Sequence, residues 1–176
     1  NFWHDIETGG DVPEIINVIV EIPKGSMNKY EYDKKHNMIK LDRVLFSPFH
    51  YPGDYGLIPQ TLSEDGDPLD ALVLVTNPTY PGILIESRPI GLLEMKDDGE
   101  PDDKIICVST NDPRYLHTSD IENIEDHYRS EIAHFFQVYK ELEGKKVEII
   151  GWKDAKDAKK VVIESIKRYK ETLKKY

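Results

Sequence analysis

The sequence predicts an α+β fold that is mainly β: a closed or partly closed barrel of short strands flanked by two helices. Roughly the first two thirds of the chain break into short apolar or alternating runs separated by polar turns, the pattern of many short strands. The remainder carries two stretches with apolar residues every three or four positions, the period of a helix with one buried face. The 176 residues, 39% hydrophobic and 32% charged, suit a single soluble domain over 1–176 with its own core rather than a disordered chain.

Taken in order, "IINVIVEIP" reads as a buried strand entered after Pro13 and stopped at Pro23,. "KYEYD" and "MIKLDRVL" alternate in polarity and are joined by the polar "KKHN", so they predict a hairpin,. "YGLIPQTL", "DALVLV", "GILIESRPIGLLEM" and "KIICVST" supply further strands. "SDIENIEDHYRSEIAHFFQVYKELEG" predicts a helix with Ile124, Tyr128, Ile132, Phe135, Phe136, Tyr139 and Leu142 on one face. Ser119 or Asp120 caps its start and Gly144 ends it,. "KVEIIGW" is one more strand. A C-terminal helix follows from Asp154, with Ala158, Val162, Ile166, Tyr169 and Leu173 on its apolar side and a Lys-rich end that suits the negative pole of the helix dipole,.

Composition narrows the function. The 23 Lys and Arg against 33 Asp and Glu give a net charge of −10, which repels nucleic acid and anionic membrane. No apolar run is long enough to span a bilayer,, and the opening residues do not read as a signal peptide. The single cysteine, Cys107, sits in the apolar "KIICVS" and reads as a buried small hydrophobe,. These features predict a cytoplasmic protein.

The acids are unevenly placed. "DGDPLD" crowds Asp65, Asp67 and Asp70 with no Lys or Arg between them and then runs straight into the apolar "ALVLV". Like charges so close raise one another's pKa, so a cation must compensate. "MKDDGEPDDKI" holds a second cluster, Asp97, Asp98, Glu100, Asp102 and Asp103, which by itself reads first as a solvated turn. An EF-hand loop counted from Asp65 fails, since its glycine and glutamate positions fall on Asp70 and Thr76,. The six histidines lack paired ligand spacing and one cysteine builds no thiolate site, so zinc is disfavoured. An all-oxygen donor set favours Mg²⁺ or Mn²⁺, ions that serve phosphate chemistry. Lys29 and Glu31 share one face of a strand, Arg43 lies on its partner, and "HYPGDYG" offers Tyr51 and Tyr55. From the residues alone these could equally be a wet barrel face and core tyrosines. No P-loop is present,.

Nearly the whole chain resembles the family I (soluble) inorganic pyrophosphatases of the short prokaryotic type. "EIPKGS", "KYEYDK", "LDRVL", "YPGDYG", "DGDPLD", "GLLEMKDDGEPDDK" and "HFFQVYKELEGK" occur in that family's order and at its approximate spacing. The resemblance implies a small OB-like barrel and hydrolysis of pyrophosphate to two orthophosphates by metal-activated water. It implies that Asp65, Asp70, Asp97 and Asp102 bind divalent metals, several Mg²⁺ per site with Mn²⁺ or others as substitutes, and that Asp67 deprotonates the attacking water. Glu21 and Glu31 would hold metal-bound waters or nearby cations. Lys29, Arg43, Tyr139 and Lys140 would grip the phosphates, and Tyr55 and Lys104 would line the same cavity. Tyr51 is a weaker match, Asp98 is left without a role, and Asp54 is given no catalytic one. Members of this length commonly form homohexamers. The remaining readings are a metal-dependent hydrolase of another phosphoanhydride and a non-enzymatic OB-like barrel that binds an anionic ligand; fold alone does not separate them.

Overall fold

A computed structural model describes residues 1–175. The "IINVIVEI" run becomes β1 (Ile16–Ile22), buried at every position. It is flanked on both sides, by β4 (Asp54–Leu57) and by β6 (Leu84–Asp97), which suits a mostly apolar strand; Asn17 and Glu21 are its buried polar residues. The predicted hairpin is β2 (Asn28–Asp33) and β3 (Met38–Val44), a separate two-stranded sheet. Its turn is fixed by Asp33, whose carboxylate accepts from the backbone N–H of Lys35 at 2.8 Å and of His36 at 3.1 Å. β5 (Asp70–Leu74), β7 (Glu100–Pro101), β8 (Lys104–Ser109) and β9 (Val147–Asp154) complete the strands.

The barrel closes. Strands β1, β4, β5, β8 and β6 are hydrogen-bonded in that order and β6 pairs back onto β1, so five strands form a ring. Among the described residues, only the β5–β8 contact is parallel. β6 is long enough to serve the ring with its first part and β9 with its last. Its register shifts between Pro89 and Gly91, where proline has no N–H to give the ladder.

Alternation along the ring strands feeds two cores. Leu72, Leu74, Ile106 and Val108 pack with Ile132, Phe135 and Phe136 of α1 (Asp126–Val138). Ala71, Val73, Ile105 and Cys107 pack with Ala158 and Val162 of α2 (Ala155–Leu173). β4 lies so close to β1 that a Cβ on Gly56 would stand 2.0 Å from the Ile19 carbonyl oxygen.

The helices differ from expectation at their ends. Ser119–Gly144 is not one helix. Asp120 and Asn123 form a reciprocal capping box on a single tight turn, Ile121–Asn123. Ile124 then leaves helical geometry (φ −90°, ψ 135°), and α1 begins only at Asp126. Beyond α1, Lys140 (φ −104°, ψ 4°) breaks the path, and a second tight turn ends on Gly144 at φ 76°. Ile124 is buried nonetheless, whereas Leu142 is 67% exposed. In α2, Asp154 caps the start by accepting from Asp157 N at 2.9 Å. Its apolar side stops short, with Leu173 exposed; Tyr176, read as the end of that helix, lies outside the described residues.

Candidate active site

The acid-rich segments meet because of strand register. Asp70 opens β5 opposite Leu57, and Tyr55 lies opposite Leu72 on the same pair. Lys104 opens β8, parallel to β5. The second acidic cluster forms the tight hairpin between β6 and β7, with Asp98 and Gly99 at φ 48° and 84°, the two left-handed positions that an Asp-Gly turn supplies. That turn returns Asp97, Glu100 and Asp102 to one cavity of about 420 Å³ with Asp65, Asp67 and Asp70. The turn itself is solvent-exposed at Asp98 and Glu100, while Asp97 and Asp102 are partly buried.

Lys104 is the centre of the cavity. Its side chain is 2% exposed, and its three donors reach Tyr55 Oη and Asp70 Oδ2 at 2.8 Å and Asp102 Oδ1 at 2.9 Å, which satisfies the ammonium. Burial opposes its charge, but Asp70 and Asp102 hold its pKa above the lysine range. Burial pushes the Asp102 carboxyl up, against the pull of Lys104, and likewise raises Asp65.

Glu21, at the end of β1, accepts from Tyr32 N at 2.7 Å. Burial, joined by the charge of Asp70, pushes its carboxyl up to about 8 despite that hydrogen bond. Asp67 is the outlier. Its side chain is 63% exposed, its N–H donates to Asp65 Oδ1 at 2.9 Å, and its Oδ1 accepts from Lys34 at 2.6 Å. Lys140, just past α1, pairs with Asp97. Lys29 lies 3.3 Å from Asp42 and 3.6 Å from Glu31.

The cavity is lined by Glu21, Glu31, Lys29, Tyr55, Tyr139 and all the aspartates named for metal or base, with Lys104 and Lys140. Arg43 is the one expected residue that stands outside the lining. It lies across the hairpin from Lys29 and turns its guanidinium to Glu143 and Asp42. Tyr51 is buried in the α1 core, 4.7 Å from the Phe135 ring, and does not line the cavity. Asp54 is fully buried. It accepts from Lys24 N at 2.8 Å and from Thr79 N at 3.1 Å, so it staples two loops together. Lys34 and Lys145 line the cavity without having been expected there; Lys34 lies in the β2–β3 turn and Lys145 just after Gly144, where no periodicity signals direction.

Among the described residues, no three His, Cys, Asp or Glu side chains converge as a ready-made cation site. Lysines hold the acids instead: Lys104 for Asp70 and Asp102, Lys140 for Asp97, and Lys34 for Asp67. Charge nevertheless remains. Nine carboxyl groups face five lysines around the cavity; Glu21 is raised mainly by burial, with the charge of Asp70 adding to it. A crowded all-oxygen donor set with uncompensated negative charge fits a hard divalent cation.

A family model described as inorganic pyrophosphatase matches residues 18–170. The chain is 52% identical over 163 residues to the inorganic pyrophosphatase of Halobacterium salinarum, covering 92% of each. It is 53% identical over 156 residues to that of Synechocystis, covering 89% of this chain and 92% of the relative. The crystal structure of inorganic pyrophosphatase from Thermus thermophilus superposes with a TM-score of 0.91 at 48% identity, covering 94% of this chain and 97% of that one.

Proposed function

The chain belongs to the inorganic pyrophosphatase family and hydrolyses pyrophosphate to two orthophosphates, and on that premise we propose how its residues divide the work. Asp65, Asp70, Asp97 and Asp102 hold divalent cations, Mg²⁺ being the natural choice for hard oxygen donors. When bound, such cations screen the phosphate oxygens and make water more acidic. The observation that carries this reading is the excess of carboxylates over lysines around one cavity.

Asp67 is the general base. It is the most exposed aspartate among those held by the cavity lysines, so it can meet a water and take its proton at a carboxylate oxygen. Lys29, Lys140 and Tyr139 contact the substrate's phosphates, with Arg43 reaching in from the rim. Their positive charge offsets the charge that builds on the departing phosphate. Lys104 and Tyr55 form the floor. Buried, and bonded to two aspartates and a phenol, Lys104 fixes the distance between Asp70 and Asp102. Glu21 and Glu31 accept from waters or cations at the wall.

The chain acts as one domain. Its compartment is the cytoplasm, in keeping with the absence, among the described residues, of any helix long and apolar enough to cross a membrane. A homohexamer is the expected assembly, and the exposed Phe46, Tyr80 and Leu116 are apolar surface that such packing would cover.

Two Mg²⁺ titrations of turnover test the division between ligand and base. Asp70→Asn should raise the Mg²⁺ requirement, and excess metal should recover part of the activity, since an amide is a poorer ligand for a hard cation. Asp67→Asn should stay slow at saturating Mg²⁺ and substrate, by on the order of 10²–10⁴, with partial recovery at higher pH. Rescue of both variants alike by metal would make Asp67 a ligand and leave the base unassigned.

A further inference from the structure

The β2–β3 hairpin is a sheet of its own with no backbone ladder to the ring; a side-chain bond, Glu21 accepting from Tyr32 N–H, joins the two. It carries Lys29 and Arg43, while Tyr139 and Lys140 come from the end of α1. Groups that must close on one small anion thus stand on two bodies joined by little backbone pairing, so a tether between them is required for a fixed geometry.

One contact has that form. Glu143 lies in the tight turn Glu141–Glu143, directly after Tyr139 and Lys140. Its Oε1 stands 2.8 Å from Arg43 Nε, and its side chain is only 8% exposed. Arg43 also pairs with Asp42, which in turn lies 3.3 Å from Lys29. The chain Glu143–Arg43–Asp42–Lys29 therefore runs from the helix end across the hairpin. The contact is close but not well aligned: Arg43 Nε and Glu143 Oε2 are both buried without a hydrogen-bond partner. A buried carboxylate oxygen left without a partner is costly, so the pair stands short of its best geometry. Catalytic hydrogen bonds commonly tighten when substrate binds.

We propose that Glu143 is a positioning residue for pyrophosphate binding, holding the Arg43 guanidinium at the cavity rim and clamping the β2–β3 hairpin to the end of α1. The inference rests on the reading of Arg43 as a phosphate-binding group. Glu143 touches no phosphate itself. Its charge also offsets that of Arg43, so holding and tempering act in opposite directions on substrate affinity, and an amide separates them. Glu143→Gln keeps the shape and one acceptor for Nε but removes the charge, whereas Glu143→Ala removes the hold.

The test measures KM and kcat for pyrophosphate at saturating Mg²⁺ in the full-length protein for Glu143→Ala, Glu143→Gln, Arg43→Ala and the Arg43→Ala/Glu143→Ala double variant. Thermal melts and substrate-free Mg²⁺ binding serve as controls for folding. The expected result is a KM raised roughly tenfold in Glu143→Ala, the scale of coupling between contacting residues. Glu143→Gln should stay close to the parent, and the double variant should be no worse than Arg43→Ala alone. A KM that falls in both Glu143 variants would show that the residue only tempers charge and would overturn the proposal. Additive losses in the double variant, or a lower melting temperature with KM unchanged, would also overturn it. If Arg43→Ala itself leaves KM unchanged, the phosphate-binding role of Arg43 fails, and that outcome is distinguishable from failure of the clamp.

Discussion

Glu21 shows how one buried side chain ties stability to the charge of the site. Its carboxyl titrates near 8 in the folded chain, mainly through burial, against 4.5 for the free group. Between those values the folded state holds a proton that the unfolded state has released. Stability therefore falls as pH rises through that window. With divalent cations removed by chelator, Glu21→Gln should abolish this fall. The melting temperature of the variant should gain on the parent by on the order of 5 °C between about pH 5 and pH 9. Parallel melting curves across that range would contradict the assignment. Other residues divide by how much of their setting is local. The crowding of Asp65, Asp67 and Asp70 was visible in the chain itself. The burial of Lys104 was not, because it follows from β8 running parallel to β5, a pairing between segments far apart in sequence. Arg43 was legible as a cation facing Lys29 across a hairpin, but its turn toward Glu143 depends on a third element.

At the scale of elements, the β4–β1 contact sets the position of Tyr55 and Asp70. Gly56 is there because the Ile19 carbonyl leaves no room for a Cβ. Gly56→Ala should force backbone apart and cost at least the roughly 1–3 kcal/mol of ordinary overpacking. The melting temperature should drop by about 5–10 °C, and pyrophosphatase activity should fall with it as Tyr55 shifts. Gly10→Ala, where an added Cβ meets nothing within 4 Å, is the matched control and should be neutral. Equal melting temperatures for the two variants would refute the steric account. Most strands were legible at this scale from alternation and flanking prolines, but "YGLIPQTL" gives only the end of β4, Asp54–Leu57, because the chain turns at Pro59 and at Gln60, whose φ is 53°. Helix ends were less so. The apolar period from Ile124 to Leu142 continues through segments whose backbone has left the helix. Ile124 is buried by packing against the barrel, whatever its backbone does. At Ile124 the periodicity reads burial, which extends beyond the helix; at Leu142, 67% exposed, it reads neither.

For the whole molecule, the net charge of −10 and the capture of an anionic substrate are reconciled by where the charges sit. The ring closes with β5 and β8 side by side, so Asp70, Asp102 and Lys104 meet at one end, and the β6–β7 turn brings the second acidic cluster to meet the first. On the proposed function, the excess of acids disfavours pyrophosphate alone, and divalent cations held by the cavity would reverse its field. The resemblance in the sequence pointed to this arrangement, and ring closure explains why residues spread from Glu21 to Lys140 can share it. The most direct measurement is phosphate release from pyrophosphate, from ATP and from a simple phosphomonoester, each with Mg²⁺ and with excess chelator. Rapid release from pyrophosphate with Mg²⁺, little from the monoester and almost none in chelator is the result expected. Sustained release in excess chelator, or a preference for the monoester, would contradict the account.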